Sequence, residues 1–215
     1  MDRLLHQQST VGALNERQLR YLETVQKNSY RLKVLLNDLL DVSRIEAGSL
    51  ELKLEAVDVG REVEEVVTSM QTQIRQKQTQ VSADIPVGKY LVRGDRLRFS
   101  QVITNLLSNA VKYSPAGAAV TLSASHADGN VEVRVADAGI GISADNQARL
   151  FTKFFRVDNT STRQESGTGL GLYITKHLVE AHGGAIQVES QEGKGTSMRL
   201  LWPQAGAEAA GALAA

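Results

Sequence analysis

Several short segments hold residue types whose spacing could do chemistry. In Asn105-Leu106-Leu107-Ser108-Asn109-Ala110-Val111-Lys112-Tyr113, the residues Asn105, Asn109 and Lys112 recur at steps of four and three, so on a helix they share a face. Two amide oxygens and one cation on a face can hold a hydrated magnesium and the phosphates it bridges, because magnesium prefers oxygen ligands and keeps several waters. Taken alone, Asn and Lys are also ordinary surface residues of a solvated helix. Asp137-Ala138-Gly139-Ile140-Gly141-Ile142 follows an apolar strand. A carboxylate at a strand end is a strong acceptor for an exocyclic amine such as that of adenine, and the glycines let a flat ring approach the backbone. A plain strand-to-helix turn would also read Asp-x-Gly-x-Gly.

Phe151-Thr152-Lys153-Phe154-Phe155-Arg156 carries three of the four phenylalanines. Core packing is expected for at least two of them, which would anchor the polar run beginning at Arg156. Gly167-Thr168-Gly169-Leu170-Gly171-Leu172 closes that run and opens a helix. Glycines at a helix start leave backbone N–H groups pointing outward, where the positive end of the helix dipole favours an anion, so the string is a candidate phosphate cradle. It is not a Walker loop, since no Lys-Ser or Lys-Thr follows the last glycine, and not a Rossmann turn, since no strand leads into it. A last Gly193-Lys194-Gly195-Thr196 fits a tight hairpin and requires nothing more at this level.

Hydrophobic periodicity supplies the elements that must position these segments. From Asn15, a good N-cap, apolar or small residues fall at Leu22, Val25, Ser29, Leu32, Leu36 and Leu39, the alternating spacing of a bundle or coiled-coil seam. Residues 4–14 read as the end of another helix, with a turn near 12–15. An arm of about ten residues is too short to cover the second helix, so the chain is expected to begin partway through a helical hairpin. Ala47-Gly48 supplies a helix stop. Beyond it the pattern is mixed: a strand over 50–57, a helix over 59–77, strands over 80–85 and 90–93, and a helix capped by Asp95 running to Tyr113. Strands over 119–125 and 130–136 join through the hairpin Ala127-Asp128-Gly129, and a short helix covers 144–155. A polar loop over 156–167, a helix over 170–182 and strands over 185–190 and 196–202 complete the series. The Ala- and Gly-rich tail after Pro203 has little to pack and is expected to be disordered.

Composition removes whole classes of function. Lys+Arg and Asp+Glu balance at 24 each, so no basic field draws nucleic acid or an anionic membrane. Bound phosphate must be held locally. The absence of cysteine excludes disulfides, thiol nucleophiles and cysteine-ligated zinc, and a reducing, cytoplasmic setting is the default. No apolar run approaches the roughly 20 residues that span a bilayer, and no signal peptide is apparent.

Taken in order, the Asn helix ending Asn-Ala-Val-Lys-Tyr, Asp-Ala-Gly-Ile-Gly-Ile, the Phe-rich stretch, Gly-Thr-Gly-Leu-Gly-Leu and Gly-Lys-Gly-Thr resemble the nucleotide-binding domain of sensor histidine kinases. The wider group includes gyrase, Hsp90 and MutL ATPases. The Phe stretch, the glycine string and the helical Leu-Asn-Asp-Leu-Leu-Asp-Val-Ser-Arg-Ile-Glu-Ala-Gly over 36–48 point to the kinases. The resemblance implies an α+β fold, a two-layer α/β sandwich with a mixed, mostly antiparallel sheet covered by helices, preceded by a partial helical hairpin. Residues 1–48 would be part of a dimerisation hairpin, 49–203 the catalytic ATP-binding domain and 204–215 the disordered tail. Asn109 would ligate magnesium, with Asn105 close to it and the phosphates, and Lys112 would contact phosphate. Tyr113 would lie against adenine and Asp137 would accept its amine, supported by Gly139 and Gly141. Gly167, Thr168, Gly169, Leu170 and Gly171 would shape the phosphate end, residues 156–168 would be the ATP lid, Arg156 would serve either phosphates or lid surface, and Thr196 would sit near the base.

The implied activity is transfer of the ATP γ-phosphate to a histidine in two-component signalling, with ATP and magnesium as cofactors. A homodimer through the hairpin and a response regulator receiver domain are the implied partners. Kinases of this family place the acceptor in a His-Glu or His-Asp sequence, and none of His6, His126, His177 and His182 stands in one. His6 is followed by Gln7-Gln8-Ser9-Thr10. The acceptor histidine is therefore expected to lie outside this chain, and autophosphorylation of the chain alone is not expected. A non-catalytic nucleotide-binding module or dimer scaffold remains the alternative.

Overall fold

The computed structural model describes residues 14–157 and 167–206. The expected first arm with His6, the centre of the polar loop and the tail beyond residue 206 lie outside the described residues. The expected disorder does not begin at residue 204, because Gln204 N–H donates to the Gly129 carbonyl at 3.1 Å and Ala205 N–H to the Leu91 carbonyl at 2.9 Å. The chain divides into two compact units, residues 1–41 and 42–215.

The first unit is described by helix α1 (Glu16–Glu46), whose last turn belongs to the second. Asn15 starts it by a reciprocal capping box: its Oδ1 accepts from Gln18 N–H, and its own N–H donates to Gln18 Oε1, both at 2.9 Å. Val25, Leu32, Leu36 and Leu39 of the seam are exposed in the single chain. The helix stops at Gly48, which adopts φ +63° while Ser49 N–H caps the Arg44 carbonyl.

The second unit is a two-layer α/β sandwich. Strand β1 (Glu55–Asp58) leads into helices α2 (Val59–Ser69) and α3 (Gln71–Gln76), strands β2 (Gln80–Asp84) and β3 (Leu91–Gly94), and helix α4 (Arg96–Tyr113). Then come β4 (Ala119–Ala127), β5 (Asn130–Asp137), α5 (Ala144–Gln147), α6 (Gly171–Ala181), β6 (Ala185–Gln191) and β7 (Gly195–Pro203). The main sheet runs β2-β4-β5-β7-β6 and is parallel only between β2 and β4, while β1 and β3 form a separate antiparallel pair. Alternation sorts the faces. Val120, Leu122, Val131, Val133, Leu200 and Trp202 are fully buried under the helices, while Arg199 spans Glu132 and Glu189 on the opposite, wetter face. Phe99 of α4 meets Trp202 edge-on at 5.0 Å, joining the layers.

Three expected elements come out differently. The first strand begins at Glu55 instead of residue 50, because its partner β3 offers only four residues; Lys53 N–H is taken instead by the Asp95 side chain at 3.0 Å. The helix over 59–77 breaks at Met70 (φ −95°, ψ 3°), a change of direction that buries Met70 and Ile74. The helix over 144–155 stops at Gln147 and continues as turns to Phe154, which holds φ +59°. As a consequence only Phe151 packs against the core. Phe154 is 66% exposed, and Phe155 lies under the Arg149 guanidinium at 4.7 Å.

Candidate nucleotide site

Helix α4 carries the first set of candidate residues. Asp95 caps it, accepting from Arg98 N–H at 3.1 Å, and Phe99, Val102, Ile103, Leu106 and Leu107 bury its apolar stripe. That burial turns Asn105, Asn109 and Lys112 to the half-buried margin. Asn105 Nδ2 donates to Thr175 Oγ1 of α6 at 2.8 Å. Its Oδ1 lies so near Gly171 that a Cβ there would come within 2.4 Å. Glycine at 171 therefore lets the first turn of α6 close on the Asn helix. Asn109 makes no side-chain hydrogen bond to protein among the described residues, which leaves a half-buried amide available to a ligand. Lys112 Nζ donates to Tyr113 Oη at 3.0 Å and lies about the glycine string, 3.2 Å from the point where a Gly167 Cβ would sit.

The Asp137 turn packs on the C-terminal end of that helix. Ile140 N–H reaches the Tyr113 carbonyl at 3.2 Å. Asp137 Oδ1 accepts from Gly139 N–H at 2.8 Å and from Thr196 N–H at 3.3 Å, so the carboxylate is fixed through one oxygen, and Oδ2 has no partner among the described residues. Burial pushes the Asp137 carboxyl above the usual aspartate value, partly offset by the two backbone bonds. Gly141 sits at φ +66°, and a Cβ on it would stand 1.9 Å from the Gln191 carbonyl oxygen. Only glycine admits that approach, with Gly193 N–H clamped to the Ile140 carbonyl at 2.7 Å. The hairpin of Gly193-Lys194-Gly195-Thr196 is thus docked on the Asp137 turn, with Thr196 beside the carboxylate.

Two contacts join the stems of the polar loop. Arg156 donates to the Gly167 carbonyl at 3.1 Å, and Gly169, at φ +73°, rests on the Phe154 backbone. Thr168 Oγ1 then accepts from Leu170 N–H at 3.0 Å, and Leu170 is buried as the N-cap of α6. A cleft of about 530 Å³ beside the stem is lined by Arg149, Lys153, Phe155, Arg156 and Glu192 among others, while Asn105, Asn109 and Asp137 lie outside its lining. Residues that sequence reasoning passed over are Thr175, which orients Asn105, and Ser190 and Gln147, which brace the Asp137 turn. Gln147 Nε2 donates to the Ile142 and Ser190 carbonyls at 2.7 and 2.8 Å. No local pattern marks them, since each has a partner 43 to 70 residues away in the chain.

The donor set suits magnesium carried by a nucleotide. Asn105 and Asn109 offer neutral oxygens of the class magnesium takes, and among the described residues no group of three His, Cys, Asp or Glu side chains could cage a metal without phosphate.

Comparison with known proteins assigns the family. Residues 94–206 match the histidine kinase-, DNA gyrase B- and HSP90-like ATPases, and residues 3–48 match the His kinase A phospho-acceptor domain. The chain is 40% identical to the sensor-like histidine kinase SenX3 of Mycolicibacterium smegmatis over 185 residues, covering 86% of this chain and 48% of the relative. Among solved structures it is similar to full-length ShkA in complex with AMPPNP (TM-score 0.79, 32% identity, 95% of this chain and 42% of that one). It is also similar to the histidine kinase AdeS of Acinetobacter baumannii (TM-score 0.72, 26% identity, 94% and 92%). The chain spans at most about half the length of the curated relatives it matches. With the Asn helix, the Asp137 turn and the glycine string assembled around one margin of the sheet, the chain belongs to the histidine kinase-, gyrase- and HSP90-like ATPase family, as the ATP-binding catalytic domain of a sensor histidine kinase joined to phospho-acceptor-domain helix.

Proposed function

We propose that this domain binds Mg·ATP with its base against Asp137 and its phosphates between α4 and the start of α6, and presents the γ-phosphate to a histidine that this chain does not itself supply. The observation that carries the reading is the half-fixed carboxylate: Asp137 is held through Oδ1 by two backbone N–H groups, which leaves Oδ2 for the adenine amine. Gly139 and Gly141 keep the backbone low beneath the ring, Tyr113 flanks it and Thr196 borders it. Asn109, with Asn105 behind it, would hold the magnesium. When bound, the metal would neutralise charge on the phosphate oxygens. Lys112 and the backbone of Gly167, Thr168, Gly169, Leu170 and Gly171 bind and orient the phosphates, with Arg156 tying the loop stem closed. Positioning and charge compensation supply the catalysis.

The parent protein in this reading is a homodimer through the α1 seam, works in the cytoplasm, and passes phosphate on to a response regulator receiver domain. No described helix is long and apolar enough to cross a membrane. Calorimetric titration with AMPPNP tests the site. Binding should require magnesium for full strength, and Asn109→Ala should abolish that metal dependence while leaving residual binding through the base. Metal-dependent binding undiminished in Asn109→Ala would refute the assignment.

A further inference from the structure

We propose that Ser190 is a positioning residue that sets the hydrogen-bond polarity of the base end of this site, and with it the preference for a 6-amino over a 6-oxo purine. The proposal rests on reading Asp137 as the base acceptor. Ser190, half-buried at the end of β6, has three partners from two segments, the Asp137 turn and the start of β7. Its Oγ accepts from Ile142 N–H at 2.8 Å, donates to the Gly195 carbonyl at 2.9 Å, and lies 2.9 Å from Thr196 Oγ1. The backbone N–H can only donate and the carbonyl can only accept, so the single Ser190 proton goes to Gly195. All three bonds hold together only if Thr196 donates its hydroxyl proton to Ser190. Thr196 Oγ1 then offers nothing but lone pairs to a molecule beyond it.

Thr196 stands opposite Asp137 in the β5/β7 register, and its own N–H donates to Asp137 Oδ1. The hydroxyl and the carboxylate are therefore neighbours, and both present acceptors. An amine at the purine 6-position satisfies such a pair, directly or through water. A 6-oxo group meets two acceptors with a third and loses the bond. Ser190 touches no nucleotide atom in this account. It acts by denying Thr196 the freedom to turn and donate.

Magnesium-dependent affinities for ATP and ITP, measured calorimetrically on wild type and variants, test the proposal. Wild type should favour ATP. Ser190→Ala should lower the ATP-over-ITP ratio about five- to tenfold, the scale of one net hydrogen bond, because the freed Thr196 hydroxyl can donate to the 6-oxo group. Ser190→Thr, which restores the hydroxyl, should return the ratio toward wild type. Thr196→Val should lower the ratio as well, and Ser190→Ala added to it should change the ratio no further. A merely structural Ser190 would depress the unliganded melting temperature and weaken both nucleotides equally. A folded Ser190→Ala with the wild-type ratio overturns the proposal, and if that variant does not fold, a wild-type ratio in Thr196→Val overturns it instead. A wild-type domain that binds neither nucleotide refutes the base site itself, and the Ser190 assignment with it.

Discussion

Replacing Asp137 with asparagine should separate the needs of the fold from those of the nucleotide, with opposite signs. The side chain keeps its shape, and an asparagine Oδ1 can still accept from Gly139 and Thr196, which the carboxylate does at 2.8 and 3.3 Å. The group facing the ligand changes from an acceptor to an NH₂ donor, directly opposed to the adenine amine. A hydrogen bond to a charged group is worth about 1.5–3 kcal/mol, so ATP affinity should fall about 10- to 150-fold. Stability should not fall with it. Burial raises the folded-state pKa of Asp137, so this group stabilises the fold when protonated and loses that contribution as pH rises through the folded value; at neutral pH the buried charge is a cost that asparagine removes. Titration calorimetry and urea denaturation at pH 7.5 read the two effects. The same linkage predicts that wild-type ATP affinity weakens on acidification at a higher pH than an ordinary aspartate would produce, while the asparagine variant is flat in that range. An Asp137→Asn domain that binds ATP like wild type, or that loses binding only by losing its fold, would refute the reasoning.

Other perturbations probe the frame around that carboxylate. Gly141→Ala places a Cβ 1.9 Å from the Gln191 carbonyl oxygen at φ +66°, where both atoms belong to backbone that must move; a loss of about 2–4 kcal/mol in urea denaturation is expected. Thr175→Val removes the acceptor for Asn105 Nδ2 in a site that is 1% exposed. It should cost about 1–2 kcal/mol and weaken nucleotide binding, although Thr175 itself touches no ligand; affinity equal to wild type would argue against Asn105. His182 accepts from Asp95 N–H at 3.0 Å through Nε2 and bonds the Leu178 carbonyl through Nδ1, which requires the neutral ring. Burial holds its pKa below the usual histidine value, with Asp95 opposing that shift and Arg98 adding to it. A depressed folded pKa means that its stabilisation is present above about pH 6.5, the ordinary histidine value, and is lost as pH falls through the folded value. Urea midpoints measured from pH 8 to 5 should show this slope in wild type and a shallower one in His182→Ala.

The parts of the site that were legible beforehand are those built from consecutive residues. Asn105, Asn109 and Lys112 declare a shared face through helical spacing, and the glycines of 139–141 and 167–171 mark backbone that must lie close to something. What they lie close to was not legible. Gly141 faces Gln191 and Gly171 faces Asn105, pairings set by sheet order and helix packing across dozens of residues. Ser190 and Thr175 are invisible for the same reason: a lone Ser or Thr in an amphipathic element reads as surface until its partners are known. The missed boundaries have local physical causes. Residues 50–54 alternate like a strand but have no strand to pair with among the described residues, and the apolar run through Met70 and Ile74 hides a kink that buries both. The phenylalanines misled because three apolar rings suggest a core, whereas Phe154 spends its unusual φ on the contact with Gly169 and stays exposed.

Phosphotransfer in trans tests the central claim most directly. The chain is mixed with a longer fragment of the parent kinase that retains its acceptor histidine but carries Asn109→Ala, and labelled γ-phosphate from ATP is followed with magnesium present. Acid-labile label is expected on the histidine of the longer fragment, with none on this chain alone and loss of transfer when Asp137→Asn replaces the wild-type chain. Tight ATP binding with no label on the acceptor would contradict the claim, and would leave a nucleotide-binding module in place of a kinase.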